Sequence, residues 1–367
     1  MVRIGIVGVG FMGYTHFEAS TRSRAAAAGR PEKIAGSKLK GGRVTAIATR
    51  DAKKLAGDWR GIHGNFGPPG RRLDLSPLKR YTDYDELLRD PDIDLVDVCL
   101  PTNLHEQVVL EAIAAGKHVF VEKPIATDLK AADRMVRAAE RAGRLLMVGQ
   151  VLPFFPEFHF ASEAIRSGIY GKLRAAHFRR VITPPEWSRD MADFRKLGGW
   201  GIDLHIHDNH FIALVCGVPA KVHSRGLLEE GLVNHVDTHY IYTDPQLTVS
   251  CTSGGIAARG LVFGHGFEIY LEQATLMYDA GTFGRKGEWV VNRPLTLFTQ
   301  DGDARQPKLK GGTEWCSAFT SELQLAVDAV RNGQAPTVLS GALARDALKI
   351  CHAEARSIAA GRAVSIR

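Results

Sequence analysis

Apolar positions in the first 150 residues predict alternating strands and helices. Short, nearly continuous apolar runs predict strands buried on both faces. They are residues 3–7, 43–48, 95–100, 118–121 and 145–148. Stretches with helical periodicity follow at 11–28, 104–115 and 128–142, with Asp128 as an N-cap and Gly116 as a helix stop. This alternation is typical of the α/β class and predicts a doubly wound parallel sheet.

Two segments interrupt this alternation. Residues 29–42 are rich in glycine and lysine and predict an inserted flexible loop. Residues 60–80 contain clustered glycine and proline and predict a second surface excursion.

The rest of the chain predicts a different arrangement of strands. Strand-like runs are separated by turn residues at 173–180, 220–227, 236–242, 246–251, 267–271, 275–278 and 289–291. Helical patterns follow at 319–333 and 342–364. A chain of 367 residues is long enough for two domains. We expect residues 1–150 to form one α/β domain and residues 151–367 a second.

Composition narrows the class of protein. With 45% hydrophobic and 24% charged residues, the chain has the balance of a soluble globular protein. Since no apolar stretch is long enough to span a membrane and the first residues lack a leader pattern, we expect a cytoplasmic protein without a membrane partner. The five cysteines are scattered, which favours buried thiols over disulfides or structural zinc.

The net charge of +7 raises the question of an anionic partner. Part of the excess lies between Arg22 and Arg43, where no aromatic residues are interleaved and no nucleic-acid-reading motif is present. We therefore expect no nucleic-acid partner. A basic surface that attracts small anionic molecules explains the charge equally well.

A glycine pattern follows the first predicted strand. Gly8, Gly10 and Gly13 form G-x-G-x-x-G at the start of a predicted helix, with Phe11 and Met12 inside it. Such glycines permit a tight turn, close approach of a pyrophosphate and tight helix–strand packing. The pattern predicts a nicotinamide dinucleotide site, against the alternative of a loop that only turns the chain.

The end of the second strand bears on coenzyme choice. NAD-selective folds usually place an acid there, but Thr49 and Arg50 occupy this position, and an arginine suits a 2′-phosphate. We expect NADP to be preferred. Asp51 follows directly, so the alternative of NAD with Arg50 in a solvated loop stays open.

Lys123 follows a predicted strand in the sequence Glu122-Lys123-Pro124. Ligands of open α/β sheets bind at the carboxyl ends of strands, and Pro124 restricts Lys123 to an extended backbone. A lysine there can hold a substrate hydroxyl or accept its proton. The alternative is a solvated lysine at a strand end.

Residues 198–210, GGWGIDLHIHDNH, combine histidines and aspartates. If the chain is helical from Trp200, Asp203 and His207 share one face, which suits proton transfer. A metal site is a weaker alternative, because His205 and His207 would point about 200° apart on a helix. We expect no metal. The third interpretation is that this segment is only the polar end of a helix.

These motifs together resemble the Gfo/Idh/MocA family of oxidoreductases. The resemblance rests on the glycine loop, on Pro101-Thr102-Asn103-Leu104-His105, on the segment from Ala115 through Lys123 and Pro124, and on Asp203 to His207. It implies a Rossmann domain followed by an α/β domain with a large open, mostly antiparallel sheet, and C-terminal helices that pack back on the first domain. It also implies a homodimer or homotetramer, since we expect a wide apolar sheet face to be covered by another subunit.

The family resemblance also assigns site residues. Lys123, Asp203 and His207 match the catalytic lysine, aspartate and histidine of inositol-dehydrogenase-like members. His105 lies near the nicotinamide or is structural. Candidate substrate contacts, besides the catalytic three, are Gln150, Trp187 and Arg195. His210 and Pro153 stand where family members often have an acid and an arginine, so substrate contacts are expected to differ.

The resulting hypothesis is hydride transfer between NAD(P) and a secondary alcohol or ketone of a sugar, cyclitol or sugar derivative. Two alternatives remain open. One is a nicotinamide-assisted glycosidase without net redox change, and the other is a nucleotide-sensing regulator without catalysis.

Overall fold

The computed structural model describes residues 1–25, 30–184, 194–285 and 287–366. Contacts between residues divide the chain into two compact units. The first unit comprises Met1–Phe154 and Gly311–Ala342, and the second comprises Phe155–Lys310 and Leu343–Arg367. The domain boundary at residue 150 stays a prediction, as does the packing of the C-terminal helix, because contact grouping does not show which parts fold as independent domains.

The first unit contains the predicted parallel sheet. Its strands are β1 Val2–Val7, β2 Thr21–Arg24, β3 Glu32–Ser37, β4 Gly42–Ala48, β5 Leu73–Asp74, β6 Lys79–Tyr81, β7 Leu95–Val98, β8 His118–Glu122 and β9 Leu146–Gly149. Six of them pair in parallel in the order β6-β4-β1-β7-β8-β9. The central strands are buried on both faces, as their apolar runs predict. The α/β doubly wound fold class is confirmed.

Helices connect these strands. The first ones along the chain are α1 Phe11–Ser20, α2 Ala52–Leu55, α3 Tyr84–Arg89, α4 His105–Ala114 and α5 Leu129–Ala142. Asp128 caps α5 as predicted, because its side chain accepts a hydrogen bond from the Ala131 amide. The later helices are α6 Pro156–Ser167, α7 Phe194–Leu197, α8 Trp200–Asp203, α9 Ile206–Cys216, α10 Ser317–Asn332 and α11 Gly341–Ala360. Phe319 of α10 lies in the core of the first unit.

The first predicted helix is too long, and the prediction of a flexible loop at 29–42 is wrong. The predicted helix 11–28 ends at Ser20, and β2 follows it; residues 26–28 lie outside the described residues. β3 occupies part of the predicted flexible loop, because β2 pairs with it antiparallel and β5 pairs with it in parallel. Tertiary pairing satisfies backbone groups in a segment whose composition alone indicates a loop. The excursion predicted at 60–80 likewise contains β5 and β6.

The second unit contains the large open sheet. Its strands are β10 Leu173–Ile182, β11 Lys221–Glu229, β12 Leu232–Ile241, β13 Thr248–Gly255, β14 Leu261–Leu271, β15 Ala274–Phe283, β16 Glu288–Thr299, β17 Ala304–Arg305 and β18 Val364–Ser365. Among the described residues the order is β17-β16-β15-β14-β10-β13-β12-β11-β18. In the described part of this sheet, every strand pairing is antiparallel except that of β10 with β13.

The outward face of this sheet is mostly polar, so the premise of a wide apolar face is wrong. Phe178 of β10 is buried against Phe211, which also contacts Phe158, whereas its neighbours His177 and Arg179 face outward. His177 contacts Ser250, and Arg179 pairs with Asp279. The strict alternation of strand side chains puts apolar residues on the helix-covered face and polar ones on the other. Oligomerisation through this face stays a prediction.

No helix among the described residues is long and apolar enough to cross a membrane.

Candidate coenzyme and catalytic site

The glycine loop joins β1 to α1 at the carboxyl end of the central strand. Gly8 has φ +93°, and a Cβ there would lie 2.6 Å from the carbonyl oxygen of Cys99. A Cβ on Gly13 would lie 2.0 Å from the Gly8 carbonyl oxygen, so both positions require glycine. A Cβ on Gly10 would meet no described atom within 4 Å. The loop is therefore tightly packed at its ends and open in the middle, where a pyrophosphate would approach.

Phe11 and Met12 begin α1 on this loop. Both are half-buried, and no side chain caps the amides of this first turn among the described residues. The Phe11 ring packs edge-on against Phe66, with centroids 4.8 Å apart. The backbone amides of these two residues, rather than their side chains, are therefore the groups that can bind an anion.

Thr49 and Arg50 follow β4 at the same edge of the sheet. The Thr49 amide donates to Tyr81, and Arg50 is exposed. Asp51 Oδ1 accepts hydrogen bonds from the amides of Lys53 and Lys54, which makes it the N-cap of α2. Asp51 therefore has a structural role that the sequence analysis did not assign.

The turn after β7 places a second set of predicted residues. Pro101 and Asn103 are exposed and Thr102 is half-buried, whereas His105 is 1% exposed. His105 Nδ1 lies 3.0 Å from the Pro124 carbonyl oxygen, and Nε2 lies 2.8 Å from the Leu100 carbonyl oxygen. Burial lowers the pKa of His105. Its contacts join the turn after β7 to the turn after β8.

Lys123 is half-buried directly after β8, and its peptide bond to Pro124 is cis. The Lys123 amide donates to Glu122 Oε2 at 3.2 Å. The Glu122 side chain is therefore turned inward, and it supports the backbone that carries the lysine.

A buried acid–base network lies behind Glu122. His16 of α1 has Nε2 3.0 Å from Glu122 Oε1 and Nδ1 2.9 Å from Asp97 Oδ2. Burial alone would lower the pKa of His16, but Asp97 and its hydrogen bond raise it well above 6.5. The Cys99 thiol lies 3.3 Å from His16 Nδ1, and burial raises its pKa. His16 is thus an imidazolium held between two carboxylates.

Gln150 and Glu322 extend this buried region. Gln150 follows β9 and is 1% exposed, and its side-chain amide atoms have no hydrogen-bond partner among the described residues. Burial and the charge of Glu122 raise the pKa of Glu322 well above its ordinary value. Unpaired amide atoms in a buried position have hydrogen-bonding capacity to offer a ligand or water.

Asp203 and His207 lie on either side of a helix interruption. Instead of one helix from Trp200, α8 ends at Asp203 and α9 begins at Ile206, because the His205 amide bonds to the Trp200 carbonyl and the His207 amide to the Leu204 carbonyl. The prediction of one continuous helix is wrong. Even so, Asp203 and His207 are both half-buried, and every other residue of 198–213 is buried.

A second buried network holds this segment to the second unit. His205 Nε2 lies 2.9 Å from Glu354 Oε1, and Asp208 pairs with Arg180 Nε at 2.9 Å. Burial alone would lower the pKa of His205, but Glu354 and Asp208 raise it well above 6.5. Burial alone would raise the pKa of Asp208, but Arg180 and His205 lower it. His205 therefore serves as an internal cation, whereas His207 is left at the surface of the segment.

The remaining substrate candidates are less clearly placed. Arg195 is exposed and donates to Glu230. Trp187 lies outside the described residues. His210 is buried.

Sequence reasoning missed the two buried networks. One available signal was Asp97, a carboxylate inside the apolar strand run 95–98, since a buried acid requires a partner. Glu322 and Glu354 gave no comparable signal, because each lies on an amphipathic helix where an acid is ordinarily exposed.

Comparisons with known proteins agree with this geometry. Residues 2–150 match the oxidoreductase family described by an NAD-binding Rossmann fold, GFO_IDH_MocA. A myo-inositol 2-dehydrogenase of Thermotoga maritima is 28% identical over 306 residues, covering 80% of this chain and 85% of the relative. An inositol 2-dehydrogenase/D-chiro-inositol 3-dehydrogenase of Lacticaseibacillus casei is 25% identical over 347 residues, covering 92% and 86%.

Solved structures share the fold across the whole chain. An oxidoreductase from Agrobacterium radiobacter, solved in complex with NAD+, L-tartaric acid and magnesium, superposes with a TM-score of 0.73 at 20% identity and covers 100% of this chain and 98% of its own. The glycine loop, the lysine-bearing strand end and these similarities lead to one conclusion: residues 2–150 form the NAD-binding Rossmann domain of an oxidoreductase of the Gfo/Idh/MocA family.

Proposed function

We propose that the protein is an NAD(P)-dependent dehydrogenase or reductase acting on a secondary alcohol or ketone of a cyclitol, sugar or sugar derivative. The names of the two inositol dehydrogenases similar to this chain support the substrate class. The observation that carries the proposal is the placement of Asp203 and His207, the half-buried acid and base in an otherwise buried segment.

Each predicted catalytic residue has a role suited to its chemistry. His207 accepts the proton of the substrate hydroxyl, Asp203 orients His207 or a neighbouring hydroxyl, and Lys123 polarises the same oxygen. When bound, the coenzyme supplies the hydride acceptor. The loop amides of Phe11 and Met12 bind the pyrophosphate of the coenzyme. The turn Pro101-Thr102-Asn103 lines one edge of the coenzyme site.

The supporting groups act through these residues. Glu122 fixes the backbone of Lys123, and His16 holds Glu122 from behind. His205 and Glu354 anchor the start of α9, the helix that carries His207. Gln150 is a substrate-contact candidate because its buried amide has unused hydrogen bonds.

The test is a panel of inositols, sugars, polyols and glycosides assayed with each coenzyme, with Lys123→Met and His207→Asn as variants. Lys130→Met is the matched control at an exposed position. We expect accumulation of reduced coenzyme with at least one cyclitol or sugar, and a loss of about 100-fold or more in kcat for the two site variants alone. Equal losses in the variants and the control, or none, would reject the site. Cleavage of a glycoside without reduced coenzyme would identify the glycosidase alternative instead.

We further propose a preference for NADP, which Arg50 supports as an exposed cation after β4. Because Asp51 is engaged in capping α2, the cation is the group better placed to recognise a ribose substituent. Arg50→Ala is expected to weaken NADP+ binding about tenfold while changing NAD+ binding little. Equal weakening of both coenzymes in a titration would contradict this assignment.

A further inference from the structure

A cavity of about 490 Å³ lies in the first unit, beside the strands of the insertion. Its lining includes four cationic side chains and one carboxylate: Arg24, Lys33, Arg30, Arg80 and Asp74. Leu73 and Leu75 form a buried floor. The volume falls in the range of small-molecule sites.

The cavity lining is separate from the predicted coenzyme-binding segments. None of the lining residues belongs to the glycine loop, to Thr49 and Arg50, or to the turn Pro101-Thr102-Asn103. The coenzyme pyrophosphate, which is expected at the glycine loop, therefore does not account for these cations.

The cations are not neutralised by the protein. Within the described residues, Arg24, Arg30, Lys33 and Arg80 form no ion pair with a carboxylate, and residues 26–29 carry no charged side chain. Hydrogen bonds from Ser76 lower the pKa of Asp74, as do the nearby Lys33 and Arg80 charges. With Asp74 ionised, four cations face one anion.

Two of these cations also oppose each other directly. Arg24 of β2 and Lys33 of β3 are register partners in the antiparallel pair. Like charges directly opposite on a sheet destabilise it. Lys33 is in turn the register partner of Asp74 on β5, which compensates only one of the two charges. A bound anion would relieve this repulsion.

We propose that this cavity is a second anion site that binds a small, multiply charged phosphate compound. Guanidinium and ammonium groups converging on one concave surface suit phosphate oxygens. The lining contains no aromatic side chain for base stacking, which disfavours single-stranded nucleic acid as the occupant. The site accounts for part of the basic excess between Arg22 and Arg43 that the coenzyme does not use.

The test is calorimetric titration of the full chain with inorganic pyrophosphate in the presence of saturating NAD+, which occupies the coenzyme loop. The variant Lys33→Gln/Arg80→Gln removes two cations of the lining. Arg22→Gln is the matched control, an exposed arginine on β2 that is not in the lining. We expect saturable binding that the double variant weakens at least about tenfold and the control changes less than about twofold.

Parallel arms use a sugar monophosphate and a single-stranded oligonucleotide. Tighter binding of the sugar phosphate than of pyrophosphate, with the same sensitivity to the variant, would support the site and identify an ester as its ligand. Binding of pyrophosphate that the double variant leaves unchanged would overturn the proposal, as would stronger binding of the oligonucleotide. A thermal midpoint that pyrophosphate raises in wild type and not in the variant checks the result independently of calorimetry.

Discussion

At the residue scale, the glycines of the loop have two different roles: some are required for packing, and one leaves space for a ligand. At Gly13 the Gly8 carbonyl occupies the space that a side chain would need, whereas the corresponding space at Gly10 is open. The sequence pattern treats these glycines alike, and the atomic surroundings distinguish them.

We predict that Gly10→Ala leaves stability nearly unchanged, within about 0.5 kcal/mol, and weakens NAD(P) binding about tenfold or more, because the added methyl group meets the pyrophosphate. Gly13→Ala should instead destabilise the loop itself, because its methyl group overlaps the Gly8 carbonyl. Chemical denaturation and coenzyme titration on both variants check this. Unaltered coenzyme affinity in Gly10→Ala would place the pyrophosphate elsewhere.

His205 gives the unfolding free energy a pH dependence. Its pKa in the folded protein is raised well above 6.5, so the protonated form is stabilised by folding. Below about pH 6.5 this stabilisation is fully present, and it is lost as the pH rises towards the folded pKa.

The expected result is a fall in unfolding free energy above about pH 6.5, to which His205 contributes up to about 1.4 kcal/mol per pH unit. His205→Gln should reduce the slope, while His63→Gln, at an exposed position outside the large sheet, should not. Denaturant titrations at several pH values measure it. A slope identical in all three proteins would show that His205 is neutral in the folded state. His16 should contribute a slope of the same sign.

At the element scale, the interruption between α8 and α9 fixes where the candidate acid and base lie. α8 packs closely on β12: a Cβ on Gly201 would lie 2.6 Å from the Val233 Cβ. Because Gly201 has no side chain, α8 can lie close to β12, and this contact positions Asp203 at the end of the one-turn helix.

We predict that Gly201→Ala costs about 1–3 kcal/mol of stability and lowers kcat more than coenzyme affinity, since it displaces α8. Val233→Gly removes the opposing Cβ and its methyl groups, so the double variant should recover part of both losses. A double-mutant cycle in stability and activity tests this. Strict additivity of the two substitutions would argue against the contact.

How far the sequence predicts the elements depends on whether local pattern or distant pairing decides them. The strand 95–98 and the cap at Asp128 were predictable, because apolar runs and capping chemistry are local. The β2–β3 hairpin was not, since its strands are stabilised by β5, almost forty residues further along the chain. The helix interruption at 204–205 was missed for the same reason: His205 is drawn to Glu354 on α11. Lys123, Asp203 and His207 were named from motifs, but the groups that support them come from elsewhere in the sequence.

At the scale of the whole molecule, the open sheet has a polar outward face rather than an apolar one. A subunit interface there would be held by hydrogen bonds and charge pairs, as polar interfaces are. We keep the prediction of a homodimer or homotetramer through this face.

Sedimentation of the full chain should therefore give a multiple of 40.1 kDa. Ser250→Glu with Thr252→Glu, near the middle of the outward face, should dissociate it by burying unpaired charge. Ser321→Glu, at an exposed position on α10, is the matched control. A monomeric wild type, or an oligomer indifferent to the glutamates, would contradict this arrangement.

The central claim is that Lys123 and His207 act on one substrate hydroxyl during hydride transfer. Its most direct test is a single-turnover measurement of coenzyme reduction at saturating coenzyme, using Lys123→Met, His207→Asn and the double variant. Groups that act as a unit are not additive, so we predict that the double variant loses little more rate than the slower single variant, with coenzyme affinity nearly unchanged. Losses that multiply independently, or single variants as fast as wild type, would contradict the account.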